Sequence, residues 1–112
     1  MEFKKQKSIF HQIADTLCQR ILDGEWAEGE RFPSIRDIAG DMGVNPNTVM
    51  RSYEQLQNLE IIFNRRGVGY FVADNAKEKI LDMQRREFLE EDLPIIQQKI
   101  RMLGLDPKTL FE

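Results

Sequence analysis

Apolar residues recur with a helical period through three stretches of the first sixty residues and then switch to alternation. Ile9, Ile13, Leu17 and Ile21 stand four apart, with Ser8 placed to cap the helix they define and Gly24 to stop it. Ile35, Ile38, Ala39 and Met42 line one face of a second helix. That helix should start at Ser34, because Pro33 discourages helix before it and Asp37, three residues on, completes a Ser-x-x-acid capping pattern. Gly43 can take the left-handed conformation that ends it, Val44 plugs the corner, and Asn45-Pro46 supplies an N-cap followed by proline at the first helical position. On the third helix, at about 100° per residue, Val49, Tyr53 and Leu56 share a narrow arc. Asn47, Arg51 and Asn58 fall opposite, flanked by Thr48 and Gln55. One face is core and the other is free to touch something.

After Leu59 the alternation runs through Ile61 and Phe63, crosses Arg65-Arg66-Gly67-Val68-Gly69, and resumes at Tyr70-Phe71-Val72. This predicts a hairpin with two glycines at its tip. Helix, tight turn, helix and hairpin in that order make a winged helix-turn-helix, so the expected class is mainly α with a small β-hairpin. Alternation stops at Ala73-Asp74-Asn75-Ala76, which divides the chain into a domain of residues 1–73 and a tail of 74–112.

The tail opens with a charged helical pattern whose apolar positions are Ile80, Leu81, Met83 and Phe88. A second tail helix follows, capped by Asp92, with Pro94 in its first turn and a stripe of Leu93, Ile96, Ile100 and Leu103 ending at Gly104. Asp106-Pro107 can start a last short turn. Ile95 and Met102 add apolar surface off the stripe. Two helices in about 40 residues rarely sustain a core of their own. The tail should therefore pair with a copy of itself, through Ile80, Leu81, Phe88, Leu93, Ile96, Ile100 and Leu103.

The free face of the third helix carries a chemistry suited to double-stranded DNA. Asn can pair with N6 and N7 of adenine, Arg with O6 and N7 of guanine, and a Thr or Met carbon with a thymine methyl. Asn47, Thr48, Met50 and Arg51 lie in the first two turns, the part of a second motif helix that enters the major groove. Asn45 reads first as a cap and only then as a base reader. Arg65 and Arg66 put positive charge where a phosphate or a minor groove would lie, and Gly67 and Gly69 let the backbone approach closely. The alternative is an ordinary solvated turn.

Composition changes this picture little. Residues 1–72 hold 9 Lys and Arg against 10 Asp and Glu, and residues 73–112 hold 7 against 9, so DNA affinity would depend on where charges sit. With one cysteine there is no internal disulfide, and with one histidine neither a metal site nor a Cys/His nucleophile can be assembled within one protomer. Cys18 and His11 read as structural, as does Trp26, packed over the end of the first helix. No set of nucleophile, base and orienting acid is present, and Glu90-Glu91-Asp92 reads as solvation of a helix end, so neither catalytic residues nor a cofactor are expected. No run of about 18 apolar residues occurs and the N-terminus lacks a signal peptide's apolar region, which predicts a cytoplasmic protein without membrane contact. A winged helix serving as a protein-binding module is the competing class, but only Met50 and Val68 would give the motif face an apolar character.

From about Ile9 to Val72 the chain resembles the DNA-binding domain of the GntR family of bacterial transcription regulators. The matching elements are Ile13-Ala14, Gly24 and Gly29, Phe32 through Ala39, Val44 through Val49, Tyr53, Leu56, and Arg66-Gly67-x-Gly69-x-Phe71-Val72. The resemblance implies DNA contacts for Arg36, Asn47, Thr48, Arg51 and Gly67 in the wing; Ser34 and Asn45, at the two helix starts, complete the set of DNA-binding candidates. It departs at Pro46 and Met50, where some branches carry charge, and at Glu60, where glycine is frequent. The short two-helix tail resembles the YtrA branch, which implies a homodimer and control, usually repression, of a nearby ABC-transporter operon. A small-molecule effector, were there one, would sit at the dimer or inter-domain interface; the sequence names none.

Overall fold

The computed structural model describes residues 7–111, so the first six residues of the N-terminal stretch lie outside the described part. Two compact units divide at Leu81 and Asp82.

In the first unit, helix α1 (Ile9–Leu22) ends in a left-handed Gly24 at φ +88°, with the Gly24 N–H returning to Ile21 and that of Glu25 to Arg20. Helix α2 (Ile35–Met42) starts as the sequence predicts, the Ser34 hydroxyl accepting from the Asp37 N–H at 3.0 Å, and ends on Gly43 at φ +66°. Helix α3 (Pro46–Asn58) is capped by Asn45, whose side chain accepts from the Asn47 N–H at 2.8 Å. Strands β2 (Ile62–Arg65) and β3 (Gly69–Val72) form the wing, pairing Ile62 with Val72 and Arg65 with Gly69.

A third strand, β1 (Arg31–Phe32), joins the other side of β3, giving the sheet order β1-β3-β2. Two residues are too few to show a period, and the partner of Arg31 is Phe71, far along the chain. The strand was therefore invisible to a local pattern.

The core of this unit is built from Ile13, Leu17 and Ile21 of α1, Ile38 of α2, Val49, Tyr53 and Leu56 of α3, and Phe32, Ile61, Ile62 and Val72. Two expectations change. Ile9 is 56% exposed, because the buried face of α1 is completed by Ala14 and Cys18 at the turns above it. Ile61 and Ile62 are both buried while Phe63 is exposed, and the strand that begins at Ile62 does not alternate, since Phe63, Asn64 and Arg65 are all exposed. An aromatic chain runs from Trp26 to Phe32, Tyr53 and Tyr70, with ring centroids 4.9, 5.3 and 4.9 Å apart. The Tyr53 hydroxyl donates to the Pro33 carbonyl at 2.8 Å, and burial raises its pKa well above the usual phenol value. Trp26 also carries the Arg20 guanidinium 4.6 Å from its ring, and Arg20 holds Glu25 through two hydrogen bonds of 2.6 and 2.8 Å.

Ile80 belongs to this core. It lies in helix α4 (Ala76–Glu87) and is fully buried with Ala76, so it offers no surface to a partner chain and leaves the set of dimer candidates. Periodicity could show that Ile80 was apolar but not which neighbour covered it.

In the second unit, α4 gives way to a single π-helical turn (Phe88–Asp92) and then to α5 (Leu93–Met102), followed by α6 (Pro107–Leu110). Asp92 is not a cap: it has helical dihedrals, φ −76° and ψ −46°, and makes no capping hydrogen bond through its side chain. The reason is Pro94, which has no N–H to return to Glu90 and would crowd a carbonyl four residues back. One turn of wider register, with the Leu93 N–H bonded to Phe88, lets the chain remain helical. None of residues 82–111 is buried.

Candidate nucleic-acid interface

Helix α3 presents its predicted polar face to solvent. Asn47 and Arg51 are exposed, Met50 is 43% exposed and Thr48 is half-buried. Val49, Ser52, Tyr53 and Leu56 hold the other side in the core. Ser52 is the one buried polar side chain among the described residues; its hydroxyl donates to the Phe10 carbonyl at 2.7 Å and so fastens the start of α1 to α3. Beside it the Arg51 guanidinium lies over the Phe10 ring, 4.4 Å from the centroid. A cation–π contact spends none of the five N–H donors on an acceptor, so Arg51 is oriented and still able to hydrogen-bond a base. Phe10 and Ser52 had no signal in a single sequence, because a buried serine and a half-buried phenylalanine look alike in any helix.

Two of the predicted site residues have their side-chain oxygens engaged within the fold: Ser34 caps α2 and Asn45 caps α3. Arg36 is exposed on the first turn of α2, and its guanidinium makes no hydrogen bond or ion pair with another described residue, including Asp37 and Glu54. The three wing residues are exposed but not equivalent. Arg65 lies over Phe71 at 4.7 Å, and Phe63 stacks on that ring at 5.7 Å and 20°. Arg66 and Gly67 stand at the tip, where Gly67 takes φ +79° inside a turn closed by the Val68 N–H on the Arg65 carbonyl at 2.9 Å. Only a residue tolerant of positive φ fits the third position of such a turn.

Between the wing and the start of α2 runs an open groove of about 580 Å³, lined among others by Arg31, Ser34, Val68 and Tyr70. Arg31 was absent from the expected site. It is exposed, and its Nη2 donates to the Val68 carbonyl at 2.6 Å.

The remaining candidate chemistry is silent. The Cys18 thiol is buried, which together with Asp15 pushes its pKa up to about 12, so it carries no thiolate at neutral pH. His11 shares a 2.8 Å hydrogen bond with Ser8. Among the described residues no cluster of His, Cys, Asp or Glu could hold a metal ion, and no helix is long and apolar enough to cross a membrane. On the tail, Phe88 is 45% and Leu103 71% exposed, Ile96 is exposed, and Leu81, Leu93 and Ile100 are half-buried.

Comparison with known proteins agrees with this geometry. Residues 10–72 match the model of bacterial regulatory proteins of the gntR family, more than half of the chain. The chain is 34% identical over 111 residues to the uncharacterized HTH-type transcriptional regulator YhcF of Bacillus subtilis, covering 99% of this chain and 90% of YhcF. It is 30% identical to the HTH-type transcriptional repressor YtrA of the same organism, over 88% of this chain and 69% of YtrA. Among solved structures, a GntR-family regulator of Bacteroides thetaiotaomicron superposes with a TM-score of 0.80 at 43% identity, covering 92% of this chain and 89% of that one. BusR of Streptococcus agalactiae, solved in complex with its busAB promoter DNA, superposes with a TM-score of 0.68 at 28% identity, over 86% of this chain and 46% of BusR. A winged helix with an exposed polar face on its third helix, matched to the family model over residues 10–72, is decisive: the chain belongs to the GntR family and is a DNA-binding transcriptional regulator, as its relatives are, not an enzyme.

Proposed function

We propose that this regulator acts in the cytoplasm as a homodimer on an inverted-repeat operator, as a repressor. Its domains would be residues 1–73, aided by Ala76 and Ile80, for DNA and the rest of 74–112 for dimerisation. Asn47, Thr48, Met50 and Arg51 read bases in the major groove; Arg36 and, in the wing, Arg65 or Arg66 meet phosphate or groove edge, and Gly67 lets the wing backbone come close. The observation that carries the dimer is the absence of any buried residue in 82–111 alongside exposed Phe88, Leu89, Met102, Leu103 and Phe111. Such a surface suits a second copy of the tail, and two-fold symmetry asks for inverted half-sites.

Repression rests on the likeness to the repressor YtrA; control of an ABC-transporter operon rests only on the resemblance of the short tail to that branch. The tail concavity bounded by Leu93, Ile96, Ile100, Pro107 and Phe111 measures about 230 Å³. That is below the ~300–1,000 Å³ of small-molecule sites, so it suits a partner's apolar side chain better than an effector. Fluorescence anisotropy with a labelled fragment of the gene's own upstream region against a scrambled fragment tests the reading. Preference for the native fragment is expected, with a dimer in light scattering. Equal affinity for both fragments, or a monomer at tens of micromolar, would count against it.

A further inference from the structure

The three arginines around the wing are held differently, and the difference points to a division of labour. Arg65 is exposed and oriented over Phe71 at 4.7 Å, Arg31 reaches from β1 across β3 to the Val68 carbonyl at 2.6 Å, and Arg66 is exposed at the tip. Arg31 also lies where a side chain on Gly69 would go: a Cβ built there would come within 3.1 Å of Nη2. The guanidinium therefore rests flush against the backbone of the returning strand at the foot of the tip. A charge-assisted hydrogen bond to a carbonyl is among the stronger kinds available to an exposed loop.

We infer that Arg31 is a positioning residue for DNA binding, clamping the wing tip through the Val68 carbonyl so that Arg66 and the Gly67 backbone are already arranged when DNA arrives. This rests on the reading that the wing touches DNA. Without the clamp, a turn closed by the single Val68 to Arg65 hydrogen bond would have to be ordered during binding, an entropic loss that falls on affinity. Arg31 acts through the tip and not beside it, which separates it from an arginine that merely neutralises a phosphate.

The test is a double-mutant cycle in the full chain, with hydrogen exchange as an independent arm. Arg31→Ala is expected to weaken operator binding about tenfold alone and less than about twofold in an Arg66→Ala background, because both changes remove one coupled contribution. Thermal unfolding should move little, since Arg31 is exposed. In the free protein, exchange of the Val68 amide should quicken several-fold in Arg31→Ala. Equal losses in both backgrounds would make Arg31 a separate DNA contact and overturn the proposal, as would unchanged Val68 exchange. If Arg66→Ala leaves affinity intact, the wing reading fails and the DNA role of Arg31 fails with it; if Arg66→Ala weakens binding but Arg31→Ala does not, the wing reading survives and the clamp alone is rejected.

Discussion

Helices α1 and α5 carry apolar stripes of similar regularity, yet α1 buries Ile13, Ala14, Leu17, Cys18 and Ile21 while α5 buries nothing. The difference is one of partners. Helix α1 lies against α3 within the same chain, with Ser52 hydrogen-bonded to Phe10 beneath it. Within residues 82–111 only short helical pieces are present, and none encloses a side chain. Burying one Leu or Ile contributes roughly 1.5–3 kcal/mol, so the first unit collects a driving force that the second cannot collect alone. On the dimer reading, the tail completes its core only on association.

The comparison breaks most sharply on truncation. A chain ending at Leu81 keeps Ala76 and Ile80 and should remain a folded monomer. Its operator affinity should fall by roughly 10² to 10⁴, since two linked half-site contacts become one. Anisotropy and light scattering check this, and a folded dimer from the truncated chain would refute it. A chain ending at Asn75 loses Ile80 from the core and should be markedly less stable.

Single substitutions sharpen the same contrast. Ile80→Ala should lower stability by about 2 to 5 kcal/mol in denaturant unfolding, because a fully buried side chain leaves a cavity. Leu103→Ser, at a residue 71% exposed, should leave the truncation-resistant core untouched and raise the dimer dissociation constant. Loss of core stability from Leu103→Ser would mean that the tail packs within its own chain.

Within the first unit, positioning and reading contacts should separate by salt. Arg51→Ala should lose about 1 to 3 kcal/mol of operator binding and blur one operator position, with folding unchanged by circular dichroism. Arg36→Ala in a dimer should lower the slope of log affinity against log salt by about two and weaken specific and random DNA alike. An unaltered slope would remove Arg36 from the DNA surface.

The smallest expected effect lies between α3 and the wing. Glu60 sits at φ +59°, held by Lys79 Nζ on its carbonyl at 3.0 Å. Glu60→Gly should stabilise the fold by roughly 0.5–1 kcal/mol, because glycine takes that conformation without a Cβ penalty. Thermal unfolding measures it, and a destabilised variant would show that the side chain itself matters more than its backbone.

What was legible in the chain was local. Ser34, Gly43 and Asn45-Pro46 announce the helix ends because capping is settled within three or four residues, and the glycines of the wing announce its turn. Strand β1, the burial of Ile80 and the contact of Arg51 with Phe10 depend on residues distant in sequence, so no local pattern holds them. For the interface, the exposed face of α3 followed from periodicity. The unequal surroundings of Arg31, Arg65 and Arg66 did not, since these arginines differ only in what they meet in space. Asp92 misled because a capping residue before a proline is a common helix start, and the chain met the proline another way.

That other way, the π-helical turn at Phe88–Asp92, works as a phase shifter. An extra residue in one turn rotates everything after it by about 100° relative to an uninterrupted α-helix. The azimuth of Leu93, Ile96 and Ile100 is thereby set by the wide turn as well as by their spacing: the same residues in an uninterrupted α-helix would point about 100° away. Replacing Pro94 so that the turn closes as ordinary α-helix would thus redirect the stripe by one codon, leaving every other apolar residue in place.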